Sequence, residues 1–464
     1  MSDHSPRGEM RKLRPVIGDV VAAVEKSVPY GAVLLSYNQG LQIYVDNRQE
    51  TVSEWEPSAG AVVTAFDGLT MRERATGGFD KQSLLRSAKE LAAEGSFSKH
   101  SEIDLGPERA GDFVTPMQID PGKMTTQEKL DKLRELHSRV NKLDERIVNA
   151  RVIYREVRQN TIFGNRVADL AQDIQRVMIY LYVYTSGDKG IRFDWIVRHA
   201  SAGWEALTFS DEELRSLVET AIGLHSAERI EPGEYSVIAS PNVSGVICHE
   251  SFGHGVETDM FIKDRAKAVS FIDRDVGSSL VDIWDDPSVP GAFGSYFFDD
   301  EGFPAAPTQI VKRGIFERGI TDMNSATRLG IPRSSNGRRQ DFTRKVYARM
   351  SNTFFGRGET PVPDLYKKAG NGIYLAKMSS GMEDPKGWGI QVTCHYGQEI
   401  KDGKFTGRMF APVVITGYVP DMLHSVSAVG DDLLLGGGFC GKGHKEYALV
   451  ASGGPHLLLK ARLS

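Results

Sequence analysis

The sequence predicts an α+β protein: an N-terminal α/β region with an antiparallel meander, followed by a large, mainly antiparallel β domain that carries a metal-binding helix. Two patterns predict the N-terminal region: a few short helical segments, and three strand-like runs separated by turn residues between positions 146 and 203. From Val276 onward, short strands alternate with glycine turns, and the 48 glycines in 464 residues are concentrated toward this end.

The first predicted unit covers residues 8–98 and contains a small α/β arrangement. Apolar residues spaced for one helix face predict a helix over about 15–28. The runs AVLLSY and LQIYV predict a β-hairpin that turns at residues 38–40. Apolar spacing over 83–95 predicts another helix, which Gly95 ends.

The second predicted unit covers residues 120–228. The segment 125–143 has leucines on one face and a threonine that can cap its start, which predicts a helix. The three strand runs then form the meander, and Ser210 with Glu213 forms a capping box for a following helix. The arginines and tyrosines of the meander also suit a nucleic-acid face, but interrupting acidic residues favour an ordinary solvated sheet face.

Composition narrows the class of protein. A formal net charge of −5 argues against general nucleic-acid binding, and the three cysteines are too few for a disulfide framework. The N-terminus has no apolar core of a signal peptide, and no segment approaches the roughly 18 apolar residues of a membrane span. We therefore expect a cytoplasmic protein that contacts neither membrane nor nucleic acid directly.

The third predicted unit, residues 231–464, opens with a strand and a helix that carries CHESFGHG (248–255). Zinc proteases place two histidines four residues apart on one helix face, with a glutamate beside the first. Here His249 and His254 are five apart, which separates them by roughly 140° on a regular helix. A π-bulge at Gly253 would return both imidazoles to one side of the helix.

The motif alone leaves its role open, because two histidines can also be hydrogen-bonded within a core. A catalytic zinc needs three protein ligands and an open position. Glycines beside Cys440 allow close backbone approach, and a thiolate is a strong zinc ligand, although a buried free cysteine is the common alternative. Cys248 and Cys394 are expected in the core. The candidates for a third ligand are Glu257, Asp259, Cys440 and His444.

Six blocks follow one another in a specific order: CHESFGHGVETD, DDPSVPGAFGSYFFDDEG, NGRR, ARMSNTFF, ITGYVPDMLHSVSAVGDD and CGKGH. Over about 231–452 they closely resemble the TldD/PmbA family, whose members are described as zinc metallopeptidases and modulators of DNA gyrase. The resemblance implies that His249, His254 and Cys440 bind Zn²⁺ and that Glu250 is the general base. The segment after the cysteine, HKEYALVASGGPHLLLK, departs from the family pattern.

The resemblance also implies substrates and partners. The family contains a TldD-like catalytic subunit and a PmbA/TldE-like subunit without the metal motif, and this chain resembles the first. We expect zinc-dependent hydrolysis of short or unfolded peptides. Apart from the resemblance, segments 348–355 and 436–443 are candidates for a sheet edge to which a peptide adds as a strand, and an ordinary strand and turn explain them at least as well. We also expect a homodimer, or a heterodimer with a PmbA/TldE-like subunit. The alternative is a noncatalytic partner or gyrase-modulating assembly subunit, whose structural zinc would need a fourth ligand.

Overall fold

The computed structural model describes residues 6–94, 103–442 and 446–464. The helices in these ranges are α1 (Pro6–Leu13), α2 (Ile17–Glu25), α3 (Lys81–Ala93), α4 (Thr126–Asn141), α5 (Asp211–Gly223), α6 (Pro241–Phe252), α7 (Thr258–Ile262), α8 (Met323–Leu329), α9 (Val362–Ala369) and α10 (Val419–His424). None of them is long and apolar enough to cross a membrane.

The strands fall into an N-terminal group and a C-terminal group. The N-terminal strands are β1 (Tyr30–Asp46), β2 (Glu50–Glu54), β3 (Ser58–Phe66), β4 (Met71–Gly77), β5 (Arg109–Val114), β6 (Ile147–Asn165), β7 (Ala168–Gly187) and β8 (Gly190–Ala200). The C-terminal strands are β9 (Gly233–Ala239), β10 (Ile283–Asp285), β11 (Thr308–Lys312), β12 (Ile315–Phe316), β13 (Gly337–Arg338), β14 (Tyr347–Ala348), β15 (Asn352–Phe355), β16 (Gly372–Asp384), β17 (Gly389–Lys401), β18 (Lys404–Phe410), β19 (Val413–Tyr418), β20 (Ala428–Val429), β21 (Leu434–Lys442), β22 (Glu446–Gly454) and β23 (Leu457–Leu463).

The N-terminal strands form one sheet in the order β4-β3-β1-β6-β7-β5, with β2 added to β1 and β8 added to β7. The meander of β6, β7 and β8 is antiparallel, as predicted. Helices α1 to α5 pack against one face of this sheet. The side chains in contact with these helices alternate along each strand with side chains on the opposite face. The opposite face contacts the C-terminal region through Phe298 and Met323.

The hairpin predicted at residues 38–40 is wrong. Strand β1 continues through these residues and pairs with β6 without interruption from Val33 to Asp46. Gly40 provides close packing instead of a turn, because a Cβ there would lie 2.5 Å from the ring of Trp55. The pairing with β6 also joins the first two predicted units into one sheet. The proposed three-part division of the chain stays a prediction.

The predicted helices are present with shifted ends. The helix expected over 15–28 is α2, which ends at Glu25 and follows a short 3₁₀ turn. Helix α3 begins after Asp80, which caps it, while the predicted end at Gly95 lies outside the described residues. Helices α4 and α5 begin with full capping boxes, the first at Thr125 and the second at Ser210.

The C-terminal region contains two larger sheets, which confirms the predicted β domain. One has the order β12-β11-β10-β15-β22-β21. In the other, β16, β9, β23, β19 and β17 form a closed barrel, because β16 pairs with both β9 and β17. Helix α6 lies between them and contacts β22 and β15 on one side and β16 on the other. Ser240 caps α6, and nearly all of its residues are buried, as expected for a helix enclosed by two sheets.

Candidate metal centre

The backbone is distorted between His249 and His254, although not by the predicted π-bulge. Helix α6 ends at Phe252, and His254 begins a separate 3₁₀ turn. Gly253 makes the break: a Cβ there would lie 2.3 Å from the carbonyl oxygen of His249 and 2.7 Å from the sulfur of Met350. Because of the break, the two imidazole rings meet edge to face, with centroids 5.2 Å apart.

Cys440 reaches the same place from the far end of the chain. It lies on β21, where it pairs with Ala448 of β22. Its sulfur is 3.1 Å from Nε2 of His254. One donor atom from each of His249, His254 and Cys440 lies within 4.8 Å of the others. The structure therefore brings together the three residues that the sequence resemblance selected.

These residues fit a zinc ion. Two imidazole nitrogens and one thiolate form a donor set that zinc prefers, and three protein donors leave one coordination position open. Nδ1 of His249 is buried without a hydrogen-bond partner, a condition that proteins rarely leave unsatisfied. Burial raises the pKa of the Cys440 thiol, but the interactions of its sulfur with the neighbouring His249 and His254 outweigh burial and hold this pKa well below its usual value. The thiolate needed for metal binding is thus favoured.

Buried charged residues contact the proposed metal ligands and hold them in position. Nη2 of Arg349 donates to the Cys440 sulfur at 3.2 Å, and Nε of the same residue donates to Glu257 at 3.0 Å. Glu257 also lies 3.6 Å from Nδ1 of His254 and 3.0 Å from Nζ of Lys442. Burial would raise the pKa of Glu257, but Lys442 and Arg349 lower it below its usual range. Glu257 therefore stays ionised and orients His254.

The other candidate ligands have different positions. Asp259 pairs with Lys442 at 2.5 Å and with Lys263 at 3.0 Å, and neither it nor Glu257 belongs to the three-residue group. His444 lies outside the described residues. Cys248 and Cys394 are buried in the large hydrophobic core, as expected from the sequence.

Glu250 follows His249 in α6 and faces a cavity of about 650 Å³, which we call the central cavity. Helix α6 and strands β8, β16 and β21 bound it. Its lining includes Tyr180, Trp195, His249, Glu250, Lys377 and Cys440. Gly381 on β16 leaves room for Glu250, because a Cβ there would lie 2.6 Å from the carboxylate oxygen. Burial raises the pKa of Glu250, and the charge of Cys440 adds to this effect while His249 and His254 oppose it.

The two segments considered as edges for a bound peptide differ in the structure. Strand β15, which contains residues 352–355 of the first segment, lies between β10 and β22 and has no free edge, so a peptide cannot add to this strand as expected. Strand β21 is the last strand of its sheet among the described residues and lines the central cavity.

Sequence reasoning did not identify Arg349, Lys442, Tyr180 or Trp195. Lys442 could have been found, because it lies two residues after Cys440 and alternate residues of a strand share a face. Arg349 lies in the ARMSNTFF block, but nothing in the sequence shows its contact with the thiol. The tyrosine and the tryptophan reach the cavity only through the packing of the N-terminal sheet on the C-terminal domain.

Residues 232–462 match the model of the PmbA/TldA metallopeptidase C-terminal domain. The chain belongs to the TldD/PmbA family. A metalloprotease of Methanothermobacter thermautotrophicus is 28% identical over 375 residues, which cover 80% of this chain and 81% of the relative. A zinc metalloprotease TldD homolog of Saccharolobus solfataricus is 24% identical and covers 76% of this chain and 81% of the relative. This TldD/PmbA chain is accordingly a metallopeptidase.

Solved structures show the same fold. A Thermotoga maritima protein, described as a proposed modulator of a DNA gyrase, superposes with a TM-score of 0.77 at 18% identity, covering 96% of this chain and 99% of that one. TldE from Thermococcus kodakarensis superposes with a TM-score of 0.73 at 15% identity, with 96% and 99% coverage. At these identities the similarity concerns the fold alone.

Proposed function

We propose that this chain is a zinc-dependent peptidase that hydrolyses short or unfolded peptides. His249, His254 and Cys440 hold the zinc, and Glu250 is the general base. The supporting observation is the convergence of these three donors beside a buried carboxylate that faces the central cavity. The naming of a relative as a zinc metalloprotease supports zinc over other metals.

The zinc supplies a Lewis acid that polarises the scissile carbonyl and makes water a stronger nucleophile near neutral pH. Glu250 accepts the proton of the attacking water and later donates it to the leaving amine. Its raised pKa suits both steps, because a group whose pKa lies closer to the operating pH can take up a proton and give it back. Arg349 and Glu257 hold the thiolate and the second imidazole in place.

The substrate is an extended segment of peptide. Strand β21 is the last strand of its sheet among the described residues and lines the central cavity, so a peptide can add to its free edge through main-chain hydrogen bonds. Main-chain binding selects for an extended conformation, which short and unfolded peptides adopt readily. A folded protein does not present such a segment to a cavity bounded by two domains.

A structural zinc in a noncatalytic partner or gyrase-modulating assembly subunit is the rival proposal. It would need a fourth protein ligand and would give Glu250 no role. Within the described ranges the metal-binding group has three members, and Asp259 is already paired with two lysines. Both observations favour the catalytic role.

The second subunit is also a proposal. The shared fold with a TldE structure supports assembly with a PmbA/TldE-like chain or with a second copy of this one. Light scattering of the purified chain, alone and with a candidate partner, would distinguish the heterodimer from the homodimer. The free state of all three cysteines supports a reducing cytoplasm as the compartment.

The decisive experiment replaces the proposed base. Glu250→Gln should reduce peptide hydrolysis at least about a hundredfold, because general-base catalysis contributes about 10²- to 10⁴-fold. The variant should still bind one zinc per chain, measured by elemental analysis. Glu145→Gln, at an exposed position outside the cavity, is the matched control and should keep wild-type activity. Wild-type turnover by Glu250→Gln would show that the base is wrongly assigned.

A further inference from the structure

The central cavity extends from the metal centre to the N-terminal sheet. Tyr180 of β7 and Trp195 of β8 line it together with His249 and Cys440. Both aromatic residues stand on the sheet face that α1 to α5 leave uncovered, because their neighbours in sequence pack against those helices. One wall of the cavity therefore comes from a different part of the chain than the metal centre.

Residues of β21 face the two walls alternately. Cys440 contacts His254 beside α6, and a Cβ at Gly436 would lie 4.0 Å from Asn242 of the same helix. Gly437, the residue after Gly436, faces the other way: a Cβ there would lie 2.7 Å from His199 of the N-terminal sheet. The ring of Phe439 is on that side too, with Arg155 stacked 5.9 Å from its centre.

A peptide paired with the edge of β21 follows the same alternation, since residues directly opposite each other across a strand pair share a face. The peptide residue opposite Cys440 faces the metal side. Residues an odd number of places away face the side on which Tyr180 and Trp195 stand. Their side chains would enter the cavity from the strand and meet the aromatic wall.

The two aromatic side chains of this wall are uncharged, and each one contacts a histidine. Tyr180 shares a 3.2 Å hydrogen bond with His199, and burial lowers the pKa of His199 to about 4, so the imidazole is neutral at physiological pH. The Trp195 ring packs 4.4 Å from the ring of His395, centre to centre. Lys377, which also lines the cavity, is ion-paired with the fully buried Asp194. An uncharged aromatic wall favours apolar and aromatic side chains over charged ones.

We propose that Tyr180 and Trp195 form a specificity subsite that receives a bulky apolar or aromatic side chain of the peptide substrate. The side chain belongs to a residue an odd number of places from the one opposite Cys440. This inference rests on the proposed peptidase function and adds a substrate class to it: extended peptides with an aromatic residue at a fixed offset from the scissile bond. In this way the N-terminal sheet contributes to substrate selection without contributing to the metal centre.

The test uses a peptide series in which one phenylalanine is moved along an otherwise alanine- and serine-containing sequence. Binding is measured by titration calorimetry to zinc-loaded Glu250→Gln, and cleavage by the wild-type chain is measured in parallel. Affinity should rise about tenfold when the phenylalanine is at the position that meets Tyr180 and Trp195, and not when it is at either adjacent position, because one well-packed aromatic contact with its buried area contributes roughly that factor. The replacement of the favoured phenylalanine by glutamate should remove the gain.

Trp195→Ala and Tyr180→Ala, each introduced into Glu250→Gln, should lower the affinity for the favoured phenylalanine peptide about tenfold and leave the alanine peptide unchanged. Tyr44→Ala is the matched control. Tyr44 pairs with Ile153 of β6, which in turn pairs with Tyr180, so Tyr44 and Tyr180 are on the same face of the sheet. Tyr44 does not line the central cavity. This variant should retain the preference.

The binding and cleavage results separate the two proposals. Absence of cleavage by the wild type with the phenylalanine preference intact would remove the peptidase assignment and keep the subsite. Cleavage with equal affinity for all peptides, or an equal loss of affinity in Tyr44→Ala, would overturn the subsite and leave the peptidase assignment in place. Circular dichroism of each variant confirms that lost binding does not reflect unfolding.

Discussion

The sulfur of Cys440 lies 3.1 Å from Nε2 of His254, although 186 residues separate the two in sequence. One residue follows the end of a buried helix, and the other lies on the edge strand of a sheet that packs against that helix. The metal centre therefore forms only when both parts of the C-terminal domain are folded and packed. Zinc binding and the stability of this domain should be coupled.

Removal of zinc should lower the thermal stability of the chain. A ligand present at about 1,000 times its Kd stabilises the folded state by about 4 kcal/mol, so zinc should raise the unfolding temperature by several degrees over a chelated sample. Differential scanning calorimetry with and without chelator measures the shift. Cys440→Ala should lose the shift, whereas Cys394→Ala, another buried cysteine, should keep it. An equal shift in both variants would contradict the assigned thiolate.

Arg349→Met should weaken zinc binding without removing a ligand. Its guanidinium donates to the Cys440 sulfur and to Glu257, so its loss destabilises the thiolate and loosens the support of His254. Groups that support metal ligands in this way typically contribute 10- to 100-fold in affinity, and a loss of about that size is expected in a competition titration with a zinc chelator. Arg357→Met, at an exposed position, should bind zinc like the wild type.

Substitution by alanine should destabilise the chain at Gly437 of β21 but not at the adjacent Gly438. A Cβ at Gly437 would lie 2.5 Å from the ring of Phe293 and 2.7 Å from His199, so Gly437→Ala should lower the free energy of unfolding by about 1–3 kcal/mol. A Cβ at Gly438 meets no atom within 4 Å, and Gly438→Ala should stay within about 0.5 kcal/mol of the wild type. Chemical denaturation compares the two. Equal stabilities would show that β21 packs differently.

Ionisation of the buried Glu301 carboxyl should lower the free energy of unfolding as the pH rises. Burial, together with the charges of Asp322 and Asp299, raises its pKa from 4.5 to about 8, although Arg333 opposes the shift. Between these values the folded state holds a proton that the unfolded state has released, so folding loses about 1.4 kcal/mol for each pH unit. Below pH 4.5 this contribution is fully present, and above about pH 8 it is lost.

Unfolding midpoints at pH 5, 6.5 and 8, measured in chelator so that zinc does not contribute, test this dependence. Glu301→Gln cannot ionise and should show a flatter profile over this range than the wild type. Glu317→Gln, an exposed substitution nearby in sequence, should keep the wild-type profile. A steeper decline in Glu301→Gln would mean that the carboxylate is ionised and stabilising at neutral pH.

The parts predicted well from the sequence depend on local patterns. Capping residues located the starts of α4 and α5, and the strand runs of the meander paired as their alternation indicated. The histidine spacing predicted a distorted turn, because five residues cannot place two side chains on one face of a regular helix. The form of the distortion was wrong, since close contacts of Gly253 with backbone and Met350 end the helix instead of bulging it.

The parts that failed depend on distant partners. Gly40 looks like a turn residue in the sequence, but fourteen consecutive pairs with β6 and the packing of Trp55 hold it in an extended strand. In the sequence, segment 348–355 looks suitable as a free sheet edge. In the structure, β15 pairs with β22, which lies nearly a hundred residues later in the chain. The contact of Arg349 with the thiol and the aromatic wall likewise arise from packing between elements that no local pattern connects.

X-ray absorption at the zinc edge of the purified chain tests the central claim most directly. The account predicts one sulfur at about 2.3 Å and two imidazole nitrogens at about 2.0–2.1 Å, with one light atom from solvent in the open position. Cys440→Ala should remove the sulfur signal. A wild-type spectrum without sulfur, or one showing four protein ligands, would contradict a three-residue catalytic centre.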